Sequence, residues 1–260
     1  MRRDYHMHPQ VILGAERFDA YAEKALEQGV EEVCISDHMP LSVSAAKDRI
    51  PAGRVGEYCE ICEEIRQKYE GRLRVKCGIE IDYHPAFMNE IEAVLSAGKF
   101  DWIHGSTHLH ASCPDMFSEP MDYGTFARKV LENTLAAVRS GLFDALPHID
   151  QYRWVFAHPE RYPLTPGGYR PEDHLDLVAQ ILEEIKARGM RLEINPHFAT
   201  KSNDVEITYP CAPFTRLALD MGVKFSYGSD SHVSKDVGVM LPELRAHPLY
   251  GPALATWEEA

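Results

Sequence analysis

The chain has 260 residues, enough for one sizeable core and close to the roughly 250 typical of a β/α barrel. With 45% hydrophobic and 26% charged residues it is neither a disordered nor a fibrous chain, and no apolar run approaches the ~20 residues of a membrane span. A formal net charge of −13, with no Lys/Arg stripe to offset it, excludes a nucleic-acid partner held by a basic surface and favours a small substrate.

The start, MRRDYHMH, is basic but has no apolar stretch behind it, so no secretory signal is read there and a cytoplasmic protein is expected. Six cysteines (Cys34, Cys59, Cys62, Cys77, Cys113, Cys211) are too sparse for a disulfide scaffold and read as reduced thiols. Cys59 and Cys62 form a C-x-x-C inside a helical pattern without a second pair, which is helix-face packing and not a zinc site.

Along the chain, short apolar runs alternate with longer helical patterns. A first strand over 2–7 precedes a helix over 18–28, stopped by Gly29. Strand 33–36 and helix 55–69 come next, then strand 73–81 and helix 88–97, then strand 102–106 and helix 123–140. A faint fifth strand, 146–148, is followed by an irregular stretch, helix 172–188, strand 191–195, helix 213–221 and strand 223–227. Seven strand–helix units without an interdomain linker predict one barrel domain over residues 1–260. The long loops at 39–56, 111–122 and 153–171 all follow strands, the rim on which a barrel carries its substrate loops.

What ends the strands carries the chemistry. His6-Met7-His8, Asp37-His38, Glu80-Ile81-Asp82, Gly105-Ser106-Thr107-His108, His148, Asn195-Pro196-His197 and Gly228-Ser229-Asp230-Ser231-His232 stand at successive strand ends. Parallel strands gather such ends at one mouth. In H-x-H on extended chain the two-residue period turns both imidazoles the same way, and Asp230-x-His232 repeats the spacing. A lone histidine at a strand end is usually surface polarity; repeated placement of these costly residues at every end points to a shared metal centre. Imidazole and carboxylate donors without a thiolate suit Zn, Mn or Fe, and a shared carboxylate such as Glu80 suits a bridge between two ions.

Taken in order, HMH, SDH, the glutamate of GIEID, GSTH, the histidine of LPHID and GSDSH resemble the polymerase-and-histidinol-phosphatase (PHP) superfamily over essentially the whole chain, and within it the monofunctional histidinol-phosphate phosphatases. The resemblance implies an α/β fold, a distorted (β/α)7 TIM-like barrel, holding two or three divalent ions. It implies that His6, His8, Glu80 and Asp230 hold one ion, Glu80, His108 and His148 a second, and His38 and His232 a third. The loop after H-x-H lacks the family's further histidine, leaving Glu16 as the candidate there. His104, His110 and His158 lie near the motifs and are read as ordinary surface histidines, with support of the ligands from behind as the alternative.

The segment His148-Ile149-Asp150-Gln151-Tyr152-Arg153 is similar to the family's H-x-D-x-x-R, which makes Arg153 the phosphate contact. A second family arginine after E-I-N is missing, with His197 or Lys201 as its replacement. The resemblance implies a phosphomonoesterase using a metal-bridging hydroxide, with Arg153 neutralising phosphoryl charge and Asp230 or a nearby histidine supplying the proton for the leaving group. Histidinol phosphate is the first substrate expected; other monophosphates or a diester, and a metal-binding domain without catalysis, are the alternatives.

Overall fold

The computed structural model of the chain describes residues 1–39, 49–108, 120–158, 162, 164–202 and 204–258. Seven strands pair in parallel: β1 (Arg3–Asp4), β2 (Glu32–Ile35), β3 (Arg74–Asp82), β4 (Trp102–Ser106), β6 (Ala145–Leu146), β8 (Arg191–Ile194) and β9 (Phe225–Tyr227), neighbours in that order. The outer strands meet beyond their short ladders. Tyr5 N donates to Tyr227 O at 3.0 Å, Asp230 N to His6 O at 2.8 Å and His8 N to Ser231 O at 2.8 Å, while Met7 bridges Ser231. The sheet thus closes almost completely into the distorted (β/α)7 barrel that the resemblance implied, with the seven strand–helix units counted in the sequence.

Helices α1 (Asp19–Glu27), α2 (Val55–Lys68), α3 (Met88–Ala97), α4 (Tyr123–Ser140), α6 (Leu175–Ala187) and α8 (Ala212–Asp220) are the main crossovers. Each presents an apolar stripe to the strands because its hydrophobic residues recur at helical spacing. In α4, Phe126, Val130, Leu131, Leu135 and Val138 are buried, and removing each from water contributes about 1.5–3 kcal/mol before chain entropy is charged against it. Asp122 caps that helix by accepting from Thr125 N at 2.9 Å, and Gly141, at φ 72°, ends it.

Several local expectations are corrected. The first strand is only Arg3–Asp4, because His6 and His8 leave the regular ladder as the chain closes on β9. His148 lies beyond β6, with a positive φ of 23°. The irregular stretch contains a short helix, α5 (Arg153–Phe156), and β7 (Leu164–Thr165), which pairs in parallel with β5 (Met121–Asp122). Two-residue strands carry too little periodicity to be read in a sequence. Beyond the short helix α7 (Ala199–Ser202), two unforeseen terminal helices, α9 (Leu241–Ala246) and α10 (Tyr250–Glu258), cover the barrel floor. There Trp257 packs edge-on against Tyr5 at 4.7 Å and beneath the Arg3 guanidinium at 4.9 Å.

The C-x-x-C lies on α2, as read, and both thiols contact Cys77 of β3 in the helix–sheet seam. No helix of the described residues is long and apolar enough to cross a membrane. His110 and Cys113 lie outside the described residues.

Candidate metal centre

Each barrel strand delivers one or two polar side chains to the same mouth. Pairing past the ends of β2 and β3 fixes two of them: Met39 N donates to Glu80 O at 2.8 Å, and Glu80 N to Asp37 O at 3.2 Å. Asp230 sits in the left-handed region at φ 53°. A non-glycine residue held there costs on the order of 1–3 kcal/mol, a strain that persists only where surrounding contacts enforce it. Here Asp230 N is held by His6 O, and the Asp230 carboxylate meets Asn195 Nδ2 at 3.2 Å.

Glu80 is the hub. Its Oε2 lies 2.7 Å from His38 Nδ1, 3.4 Å from His6 Nε2 and 3.5 Å from His8 Nε2. Its Oε1 lies 3.0 Å from His148 Nε2 and 3.5 Å from His108 Nε2, and accepts the Ser106 hydroxyl. Asp230 Oδ1 completes the group, 3.1 Å from His8 Nε2, 3.6 Å from His232 Nδ1 and 3.8 Å from His6 Nε2.

The structure therefore brings His6, His8, His38, Glu80, His108, His148, Asp230 and His232 to one place. Three-residue sets with donor atoms within 4.8 Å of one another include His6–Glu80–His148, His6–His8–Asp230, His38–Glu80–His108 and His8–His38–His232. These sets cut across the groups implied by the resemblance: His38 lies with Glu80 and His108 as well as His232, His6 also with Glu80 and His148, and His8 also with His38 and His232.

The donor set fits divalent cations. His6 Nε2, both ring nitrogens of His8 and Glu80 Oε2 are buried without a protein hydrogen-bond partner. Some of these atoms stand at ion-pair distance but not in hydrogen-bond geometry. Leaving them so would cost a few kcal/mol per atom, whereas a cation among them satisfies all at once.

The electrostatics agree. Burial opposes charge on Glu80, yet His108, His6, His38 and His148 outweigh it and hold the carboxyl well below its ordinary range. Burial likewise opposes charge on Asp230, and His6, His197, His8 and His232 hold it well down. Burial lowers His8, reinforced by His38 and His232. Burial would also lower His6, but Glu193, Asp230 and Glu80 drive it well up. The site is a nest of acids demanding positive charge, which protons supply in the free protein and metal ions supply in a loaded one.

A second layer was not assigned roles from the sequence. Glu193, fully buried on β8, places its oxygens 2.9 and 3.0 Å from His6 Nδ1 and accepts from Asn195 Nδ2 at 2.8 Å. Asp82 accepts from His108 Nδ1 at 2.8 Å. A carboxylate on one ring nitrogen fixes the tautomer and turns the other toward the centre. The signal was present: a glutamate inside the apolar run Leu192–Ile194 needs a buried partner. His104 is a correction, because it is fully buried, not a surface histidine. Its Nε2–H donates to Tyr5 O at 2.7 Å and its ring stacks on His6 at 4.4 Å; burial and the neighbouring His6 lower its pKa to about 4. His158 is half-buried, with Nδ1 2.9 Å from Trp154 O.

Arg153 lies in α5, its Nε 2.7 Å from Asp150 Oδ2, its Nη2 donating to Thr208 O at 3.0 Å and its guanidinium 4.7 Å above the Tyr209 ring. His197 reaches the centre, its Nδ1–H donating to Asp230 O at 2.8 Å and its ring 5.4 Å from His232. Lys201 is exposed on α7 with its ammonium 4.5 Å over Phe198. Glu16 is exposed and its carboxylate lies against Gly14.

A barrel with such a mouth defines a class of metal-dependent hydrolase. The chain belongs to the PHP family: the PHP domain model matches residues 4–197. It is 31% identical over 245 residues to a probable histidinol-phosphatase of Deinococcus radiodurans, covering 90% of this chain and 88% of that protein. It is 22% identical over 241 residues to the histidinol-phosphatase of Lactococcus lactis, covering 89% and 84%. The crystal structure of the Lactococcus lactis histidinol phosphate phosphatase, complexed with zinc, L-histidinol and phosphate, superimposes with a TM-score of 0.74 at 18% identity over 97% of this chain and 93% of that one. The chain is accordingly a hydrolase of phosphate esters of the histidinol-phosphatase kind.

Proposed function

We propose that the chain hydrolyses a phosphate monoester, with histidinol phosphate as the substrate, and that two or three divalent ions, Zn, Mn or Fe, are held by His6, His8, His38, Glu80, His108, His148, Asp230 and His232. The observation that carries the reading is the Glu80 carboxylate set among five imidazoles with buried donor atoms left unpartnered. The family membership and the names of the relatives support the substrate class. Bound divalent ions supply Lewis acidity at the phosphoryl oxygens and acidify the attacking water.

The chain's own groups do the rest. Glu193 and Asp82 fix the tautomers of His6 and His108. Arg153, preset by Asp150, Thr208 and Tyr209, supplies a planar cation for phosphoryl charge. Asp230 is held ionised, which suits a ligand and not a proton donor. His197, anchored through Nδ1–H to Asp230 O, is the group offered to the leaving oxygen, a closer position than that of exposed Lys201. The five described cysteines are free, which suits a reducing compartment and the expected cytoplasmic location.

The test is phosphate release from histidinol phosphate, sugar and nucleotide monophosphates, and diesters, with Mn or Zn supplied. Turnover of histidinol phosphate above the other monoesters, abolished by a chelator and restored by metal, is expected. Activity confined to diesters overturns the monoester reading, and a folded, metal-loaded chain without any esterase activity overturns catalysis.

A further inference from the structure

One buried arginine beside the centre has no part in the function proposed above. Arg49 lies on the approach to α2, with its side chain only 8% exposed. Its Nη1 donates to Met39 O at 2.9 Å and to Asp82 Oδ2. The other oxygen of Asp82 accepts from His108 Nδ1 at 2.8 Å, and His108 Nε2 stands 3.5 Å from Glu80 Oε1. Arg49, Asp82, His108 and Glu80 thus form one unbroken line of contacts ending at the hub.

The chemistry of that line is directional. A neutral imidazole carries one proton, so holding it on Nδ1 leaves Nε2 as a lone pair for a cation. Asp82 does the holding through Oδ1, so the carboxylate must be correctly turned. It is 1% exposed, where an uncompensated carboxylate is costly. Arg49 supplies a positive charge beside that carboxylate, and its Nη1 holds one of the two oxygens. A lysine would give the charge from a more flexible side chain.

We propose that Arg49 is a positioning residue for the metal centre, acting through Asp82 to present His108 Nε2 to an ion shared with Glu80. The proposal rests on the metal-ligand reading of His108 and Glu80 and is independent of which ester is cleaved. The competing role is mechanical: Arg49 bonds Met39 O and Ile50 N bonds His38 O at 2.8 Å, so the same residue ties together two chain segments.

Zinc affinity of the purified full chain, titrated without substrate, separates the two roles. Asp82→Asn is expected to weaken one ion site about 10–100-fold, the usual range for a residue behind a ligand. Arg49→Met should weaken the same site about tenfold, Arg49→Lys should recover most of that, and Arg49→Met combined with Asp82→Asn should be no weaker than Asp82→Asn alone. His108→Ala must weaken the same site. Unchanged affinity in Arg49→Met, full additivity in the double variant, or unchanged affinity in His108→Ala each overturns the proposal. Should Arg49→Met fail to fold by circular dichroism, Arg49→Gln and Arg49→Lys are read against the same Asp82→Asn background. Because no substrate is present, loss of the esterase reading leaves this result intact.

Discussion

Replacing Glu193 with glutamine isolates one charge. The glutamate accepts from His6 Nδ1 with both oxygens and from Asn195 Nδ2 at Oε1, and its Oε2 stands 3.5 Å from His104 Nδ1. His104 donates through Nε2 to Tyr5 O, so its Nδ1 bears a lone pair. A glutamine with its oxygen at the Oε1 position still accepts from His6 and Asn195, while its amide turns a proton toward His104. The volume is unchanged, but the amide nitrogen takes the Oε2 position 2.9 Å from His6 Nδ1, so the metal-free variant should fold with a loss of about 1–3 kcal/mol, read by thermal unfolding.

What disappears is the anion behind His6. Substitutions of this kind weaken metal binding about 10–100-fold, or about 1.4–2.8 kcal/mol at 1.4 kcal/mol per decade. Dialysis against buffered zinc, followed by elemental analysis and titration, reads it directly. A folded Glu193→Gln chain binding zinc within about twofold of the parent refutes the reasoning, because His6 would then need no support from its second nitrogen.

Glycine 228 is set by space: a Cβ there would lie 2.3 Å from His6 Cβ and 2.5 Å from Glu193 Oε2. Gly228→Ala should cost about 1–3 kcal/mol in denaturant unfolding and also reduce bound metal; a neutral result would mean that His6 can shift freely. Arg153→Lys keeps a cation for buried Asp150 but loses the fork, so kcat/KM for phosphomonoesters should fall about 10–100-fold with metal content unchanged; equal loss of both makes the residue structural. Asp4 has its pKa raised to about 6 from the ordinary 3.8, chiefly by burial, partly offset by bonds from Ser229, Gly238 and His6. Its contribution to stability is therefore complete below 3.8 and lost as pH rises through 6. Relative to Asp4→Asn, the parent should lose on the order of 3 kcal/mol between pH 4 and 7, and a stability gap constant with pH refutes the shift. Glu80→Gln removes the shared carboxylate and should abolish both stoichiometric metal binding and turnover; retained binding, measured on the folded variant, would displace Glu80 from the hub.

The strands and helices of the barrel were legible where they are long or strongly periodic, as in α4, whose buried residues recur at helical spacing, and β3, a long run buried almost throughout. The paired strands β5 and β7 were not, since two residues cannot show a period and their pairing joins Met121 to Leu164 across a long separation. Likewise α9 and α10 cover the barrel floor through contacts such as Trp257 with Tyr5, which local sequence does not announce.

At the mouth, the sequence by itself determined which donor atoms exist and that they follow strand ends, because a parallel barrel puts all such ends on one rim. Only the tertiary structure decided their roles. Glu193 and His104 look alike as polar residues within strands, yet one backs His6 with a charge and the other stacks on it as a neutral ring. Ligation and tautomer depend on distances of about 3 Å between residues far apart in the chain, and those distances are set by barrel closure and packing, which no local pattern encodes.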